Sequence, residues 1–317
     1  MKKVPSLFIL LIVTLVFSCS TDQSEINTTN DENLSILSLN DMKEFQNLLI
    51  TFNNYNSIKQ FEDWSEKQAY ITAYSSDKIS QEELNNIPFT FQFILNEDKK
   101  FRIGEREIEF RNGIFYEVSN ISSDNKNEIV FAKTEVINVD DSQNTDPSKT
   151  TLNANGGEYK EWTEFVRQTY ASGCSAPINK SLRYRLVHYL EVIKTTGPSW
   201  GFSQTDVYFK LRMSQKKSSG WHYNNTSTER LYTLNLTGNT TLKYYDGSGV
   251  APMQNFSIYD SNSCSNTLKG TKSYWIRSFS LVTGTNFSLY NWDINVNGLV
   301  FHKVNGDTNE INTTISW

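Results

Sequence analysis

Leu182-Arg183-Tyr184-Arg185-Leu186-Val187-His188-Tyr189-Leu190-Glu191-Val192, followed by Val207-Tyr208-Phe209-Lys210-Leu211-Arg212-Met213, is the stretch whose reading decides the fold. Leu182, Tyr184, Leu186, His188, Leu190 and Val192 alternate with Arg183, Arg185, Val187, Tyr189 and Glu191, and Val207, Phe209, Leu211 and Met213 alternate with Tyr208, Lys210 and Arg212. A period of two is the geometry of an extended strand, whose successive side chains point to opposite faces. An apolar face backed by a polar one predicts antiparallel strands with one wet side. Further short runs lie near 230–236, 241–245, 254–260, 273–283, 286–296, 298–304 and 310–317. Strands at this rate predict an all-β antiparallel sandwich, jelly-roll-like, over residues 159–317. Tyr159, Trp162, Phe165, Val166 and Tyr170 have helical spacing, so a helix leading into that domain is expected.

Upstream the texture differs. Asp41 with Glu44, Ser57 with Gln60 and Ser80 with Glu83 are helix-capping pairs, and Met42, Phe45, Leu48, Leu49 and Phe52 recur at helical spacing. Two or three short helices are expected between about 40 and 95. Phe101–Gly104, Glu107–Phe110 and Ile114–Val118 read as short strands, with Asn112-Gly113 as a two-residue hairpin turn, and 128–139 adds another. The expectation is a small α+β domain over 40–139. Residues 140–158 are rich in Asp, Ser, Thr, Asn and Gly and read as a linker. Charge changes sign there: 14 basic against 25 acidic residues through 158, and 16 against 10 from 159 on. A split of that size suits two units with different electrostatic faces. With 38% hydrophobic and 13% aromatic residues, a packed core is expected and global disorder is not.

The first residues carry an address. Lys2 and Lys3 precede an apolar run from Leu7 to Phe17, and Ser18-Cys19 closes it. This is the order of a secretory signal, and the run is short of the roughly 20 residues that span a bilayer. Val16-Phe17-Ser18-Cys19 resembles a bacterial lipobox, although Phe17 is bulkier than the usual residue there. The resemblance implies that residues 1–18 are removed and that Cys19 carries a thioether-linked diacylglycerol, with a further acyl chain on its amine. Several chains anchor stably where one is marginal. Residues 19–39 then form a lipidated tether, polar and acidic over 20–33. Asp22 and Glu25 resemble the acidic signals that send some lipoproteins to the outer face of the outer membrane; the match is loose, and either face stays open.

Ser57, Phe61 and Trp64, then Leu95-Asn96-Glu97-Asp98, then Ile103-Gly104 with Ile108, resemble motifs of uncharacterised surface lipoproteins of Gram-negative bacteria, in which a helical segment precedes an all-β C-terminal domain. The motifs cover roughly 40–120. The resemblance implies the architecture and brings no activity.

Once Cys19 is lipidated, Cys174 and Cys264 are an even pair in an oxidising compartment. A disulfide between them would close a 91-residue span, adding on the order of 4 kcal/mol by loop entropy; two buried thiols are the alternative. His188, His222 and His302 are not at metal-ligand spacing, so no metal site and no cofactor are expected, and His188 reads as a hydrogen-bonded core residue. There is no phosphate-binding glycine loop and no nucleophile elbow, and Asp246-Gly247-Ser248-Gly249 reads as a hairpin tip. Asp206, Glu229, Asp246 and Asp293 stay unranked as hydrolytic carboxylates, and Asp307 and Glu310 lack calcium-loop spacing.

Aromatic residues crowd the second domain: Trp200, Trp221, Tyr223, Tyr244, Tyr245, Trp275 and Trp292. Trp200 and Trp221 sit beside Gly197-Pro198 and Gly220, as expected of loops, so Trp200, Trp221 and Tyr223 are the candidate binding aromatics; burial as caps of the core is the alternative. Arg183, Arg185, Lys210 and Arg212 would share one wet face as a basic stripe. These features favour a lipid-anchored, non-catalytic binding module with a glycan or an envelope protein as partner and no nucleic acid. A hydrolase with dispersed carboxylates and a structural envelope component are the alternatives.

Overall fold

The alternating runs, over 183–192 and 207–213, fold into one long hairpin at the centre of the structure. The computed structural model describes residues 36–118, 129–137, 151–154, 160–166, 183–223, 228–244, 250–282 and 290–317. The elements before the hairpin are β1 (Ser38–Leu39), α1 (Met42–Phe52), α2 (Ile58–Ser65), α3 (Gln81–Leu84), α4 (Phe89–Ile94), β2 (Lys100–Ile103), β3 (Arg106–Arg111), β4 (Ile114–Val118), β5 (Ile129–Ile137), β6 (Thr151–Ala154) and β7 (Lys160–Val166). The hairpin is β8 (Arg183–Gly197) and β9 (Phe202–Lys217), joined by a 3-10 turn at Pro198–Trp200. After it come β10 (Gly220–Tyr223), β11 (Arg230–Tyr244), β12 (Val250–Ser261), β13 (Lys272–Val282), β14 (Tyr290–Val304) and β15 (Glu310–Ser316).

The helix starts form as their capping pairs predict. Asp41 accepts the Glu44 N–H at 2.8 Å, Gln60 accepts the Asn56 and Ser57 N–H groups at 2.7 and 3.2 Å, and Ser80 and Glu83 cap each other reciprocally at 3.2 and 3.1 Å. Each satisfies backbone donors that a first helical turn leaves open. Asn112 and Gly113 have φ of 51° and 79°, the left-handed pair that a tight β3–β4 hairpin requires. The helix expected from Tyr159 is instead β7, a correction. The first half of β8, Arg183–Tyr189, offers a sheet edge, and Lys160–Val166 pairs along it antiparallel; its Trp, Thr, Phe and Val residues suit a pleated surface better than a helix.

Two sheets result. The first runs β1-β2-β3-β4-β5-β8-β9-β10, with β7 also on β8 and β13 on β9. The second runs β12-β11-β14-β15, with β6 also on β14. Leu190, Val192, Val207, Phe209 and Leu211 of the first sheet pack on Leu234, Leu236, Trp292, Ile294 and Val296 of the second. The chain is therefore mostly β, with few helices and a sandwich-like packing of sheets.

The opposite face of the hairpin is not wet, and that expectation is corrected. Ile193, Phe202 and Tyr208 pack into a cluster with Phe45, Phe91, Phe101, Phe115 and Phe131 from the helices and the β2–β5 meander. Asn53, which caps the end of α1, donates to the Ser280 carbonyl at 2.8 Å and accepts its N–H at 2.6 Å, which docks α1 on β13. The expected α+β unit and the expected sandwich thus share a sheet, through β5 on β8, and a core. The stretch read as a linker, 140–158, contains β6, which pairs parallel with β14.

Candidate functional site

At one side of the sandwich the two sheets leave adjacent edges. β12 pairs with β11 and β13 with β9, and residues 262–271 lead from β12 to β13. α2, α3 and α4 lie alongside. Between these elements runs a cleft of about 690 Å³. Tyr74 and Phe89 come from the helical layer, Phe256 and Tyr259 from β12, and Tyr274 and Trp275 from β13.

Each wall is held by specific bonds. Trp275 stacks on Phe89 with centroids 4.5 Å apart and 13° between planes, and Phe61 meets it edge-on at 5.5 Å. The Trp275 indole N–H donates to Ser278 Oγ at 2.8 Å, and the Ser278 hydroxyl donates to Asp206. Gln204 and Thr90 also donate to Asp206, at 3.1 and 3.4 Å. Burial nevertheless pushes the Asp206 carboxyl up to about 6, since these donors offset only part of the desolvation. On the other wall Tyr232 and Tyr274 both donate to Asp260 Oδ2, at 2.8 and 2.9 Å, with Lys272 at 3.6 Å. Burial opposes ionisation of Asp260, but the two phenols and Lys272 outweigh it and hold the carboxyl below the usual range. Tyr259, by contrast, projects into solvent with 75% of its surface exposed.

A second cleft, of about 820 Å³, lies where the meander meets β8 and β9. It is ringed by charge, and most of that charge is internally matched. Glu83 pairs with Lys99 at 2.9 Å, Glu97 with Lys78 at 2.5 Å and Glu109 with Arg111 at 3.2 Å. Lys210 pairs with Glu191, both buried.

The residues singled out in the sequence are dispersed. Cys19 and Cys174 lie outside the described residues, and Cys264 is exposed in the turn after β12. Trp200 is half-buried in the 3-10 turn, 5.4 Å from Phe131, with the Arg106 guanidinium 4.5 Å over its ring. It packs on the aromatic core, the alternative that the sequence left open. Trp221 lies in β10, a strand and not a loop, opposite Lys216. The Arg185 guanidinium sits 3.9 Å over its ring and Lys216 Nζ at 5.5 Å. Tyr223 pairs with Ser214, and its side chain is outside the described set. From Phe202 to Lys216 the hairpin spans roughly 45 Å at about 3.3 Å per residue, so Trp200 and Trp221 cannot form one platform.

Arg183, Arg185, Lys210 and Arg212 do share a face by register, but not as an open stripe. The helical layer covers its inner end, so Lys210 is buried on Glu191, while Arg212 rests 4.6 Å over Tyr189. His188 is buried and hydrogen-bonded, as expected, to His302 at 3.2 Å. Asp307 is buried and accepts the Tyr184 hydroxyl at 2.9 Å, a structural role. Asp246 lies outside the described residues. Among the described residues no group of three or more His, Cys, Asp or Glu is placed to hold a metal ion. The sequence reading named Trp275 only as one of several aromatics and passed over Tyr259. The signal was the alternation at 254–260, which turns Phe256 and Ile258 inward and leaves Tyr259 as a large aromatic on the polar face.

Fold and cleft together define a class: a mostly β, sandwich-like protein with a helical layer and an open aromatic cleft at the sheet edges. No family model matches the chain, and no curated protein matches it. Among solved structures, the crystal structure of a DUF4848 family protein from Bacteroides thetaiotaomicron is 11% identical and covers 92% of this chain and 100% of its own, at a TM-score of 0.20. Nothing is carried across at that score.

Proposed function

We propose that this chain is a lipid-anchored, non-catalytic binding protein of the outer membrane that takes its ligand in the aromatic cleft between α2–α4 and the β12 and β13 edges. The observation that carries the reading is Tyr259, a large aromatic exposed beside a wall already built from stacked rings. Tyrosine is enriched among the residues that anchor recognition sites, and Tyr259 is the one aromatic among the exposed large hydrophobic residues of the described set. Anchoring through Cys19 is supported by the lipobox resemblance. Among the described residues no helix is long and apolar enough to cross a membrane. The Cys174–Cys264 pairing is supported by the oxidising compartment that the export signal implies. The hydrolase reading is the weaker one. Its best carboxylate, Asp206, has the raised affinity for a proton that an acid catalyst needs, but it is completely buried beneath Trp275 and Ser278.

The test is retention of envelope polysaccharides and proteins by the chain lacking residues 1–19, which keeps every described residue. Tyr259→Ala is expected to reduce retention at least about tenfold, the equivalent of about 1.4 kcal/mol, while Trp221→Ala leaves it within about twofold. Retention lost in Trp221→Ala and kept in Tyr259→Ala would overturn the assignment.

A further inference from the structure

We infer that the cleft takes an uncharged carbohydrate chain, an inference that rests on the binding reading above. Its lining is nearly free of charge. Lys272 is the one ionisable cation or anion among the lining residues, and it is paired with Asp260 at 3.6 Å. A phosphate, a uronate or an acidic peptide would find no unmatched cation there, and would lose its hydration without replacement. The second cleft is the opposite case, ringed by matched ion pairs.

The groups that are present suit sugar chemistry. A sugar ring has faces of C–H bonds and a rim of hydroxyls. The C–H faces rest on the electron-rich faces of aromatic rings, here the exposed Tyr259, while Tyr274 and Trp275 line the same cleft half-buried. The rim needs neutral donors and acceptors, and the cleft offers the Asn56 amide, the Ser257 hydroxyl and what Gln81 and Asn85 retain after bonding each other at 3.3 Å and the Thr271 carbonyl at 3.4 Å. Among the described residues the Ser273 hydroxyl has no hydrogen-bond partner and the Tyr208 hydroxyl donates to no acceptor, and both residues line the cleft. A volume of about 690 Å³ falls among small-ligand pockets, about 300–1,000 Å³.

An extended peptide fits less well. Strand addition needs a free backbone edge. At the start of β13 the side chain of Asn85 already bonds the Thr271 carbonyl at 3.4 Å, and β12 carries Pro252, a residue that blunts edges. Two of the lining rings are also held before any ligand arrives, Trp275 stacked on Phe89 and Tyr274 through its hydroxyl on Asp260. Prearranged platforms suit a ligand that is itself stiff.

Affinity electrophoresis of the chain lacking residues 1–19 through gels containing neutral β-glucan, xylan or mannan, anionic polygalacturonate, or casein peptides tests this. At least one neutral glycan is expected to retard the chain, and 0.5 M salt (about a 4 Å screening length) leaves the retardation within about twofold. Tyr259→Ala is expected to weaken it at least about tenfold, and Tyr259→Phe less than about threefold, because stacking uses the ring. Tyr259 is exposed, so both variants keep the fold. Retardation by polygalacturonate or peptides alone, lost in Tyr259→Ala, overturns the uncharged-carbohydrate class while the binding reading stands. Retardation by none of the five, or equal retardation of Tyr259→Ala, overturns the site itself.

Discussion

Lowering the pH from 7 to 4.5 is expected to narrow the stability gap between the wild-type chain and His188→Gln by roughly 2–3 kcal/mol, read from urea unfolding at the two pH values. His188 and His302 are wholly buried between the two sheets. Arg230 is also buried, and its guanidinium is 3.1 Å from His302 Nε2. A guanidinium only donates, so Nε2 of His302 accepts, its proton sits on Nδ1, and that nitrogen donates to His188 Nε2 at 3.2 Å. Both rings are therefore neutral in the fold. Burial first, and the neighbouring Arg230 charge second, lower His188 to about 3 and His302 well below the usual range. The unfolded chain binds these protons near pH 6.5, and the folded chain does not until far lower. Stability supplied by the neutral pair is complete above about pH 6.5 and drains away as pH falls toward 3. Asp206 acts with the opposite sign. Its carboxyl is raised to about 6, so the fold gains from its protonation as pH falls from about 6 to the unfolded value near 4. Comparing each variant with wild type at both pH values isolates the histidine share. A gap independent of pH would show that His188 does not titrate between folded and unfolded states.

Gly298→Ala is expected to cost several kcal/mol, about 3–5, enough to unfold many domains of ordinary stability. Gly298 pairs with Leu236 across β11 and β14, and Gly238 pairs with Val296 two positions on. A Cβ on Gly298 would lie 2.1 Å from the Asn235 carbonyl oxygen and 2.9 Å from Leu236 Cα, on a backbone at φ +143°. Both contacts are backbone, so no side chain can swing aside. Gly238 meets the Asn295 carbonyl oxygen at 1.9 Å in the same way, and the Phe256 ring lies over it. The two glycines let these long strands approach at one crossing, where side chains would force them apart. Gly220→Ala is the comparison. A Cβ there meets nothing within 4 Å and only φ +125° is strained, so its cost stays within about 1–3 kcal/mol. Urea midpoints of the variants measure the difference; equal losses at Gly298 and Gly220 would show that the close approach is not what Gly298 serves.

What the sequence made legible was local. Asp41 with Glu44, Ser57 with Gln60 and Ser80 with Glu83 are signals confined to one turn, and Asn112-Gly113 to two residues, so each was readable without knowing its surroundings. The β8–β9 hairpin was readable because its core face alternates strictly. α4 was not, since Phe89-Thr90-Phe91-Gln92-Phe93-Ile94 is buried on all sides and shows no polar face to set a period. The covered back of the hairpin was hidden for a different reason. Lys210 looks solvent-facing until Glu191, on the neighbouring strand, neutralises it beneath a helical layer. The cleft depends on long-range assembly. Tyr74, Phe89, Tyr259 and Trp275 line one cleft only because β12 and β13 end their sheets on the same side. Trp200 and Trp221, conspicuous beside glycines, have their ring faces occupied by Arg106 and Arg185.

The central claim, that the ligand binds between the helical layer and the β12–β13 edges, is tested most directly by amide hydrogen exchange with and without the neutral glycan that retards the chain. Protection is expected in 56–58, 256–259 and 271–276, with the 198–201 turn and 220–223 unchanged. Protection confined to 198–201 or 220–223 would contradict it and return the site to the ends of the hairpin.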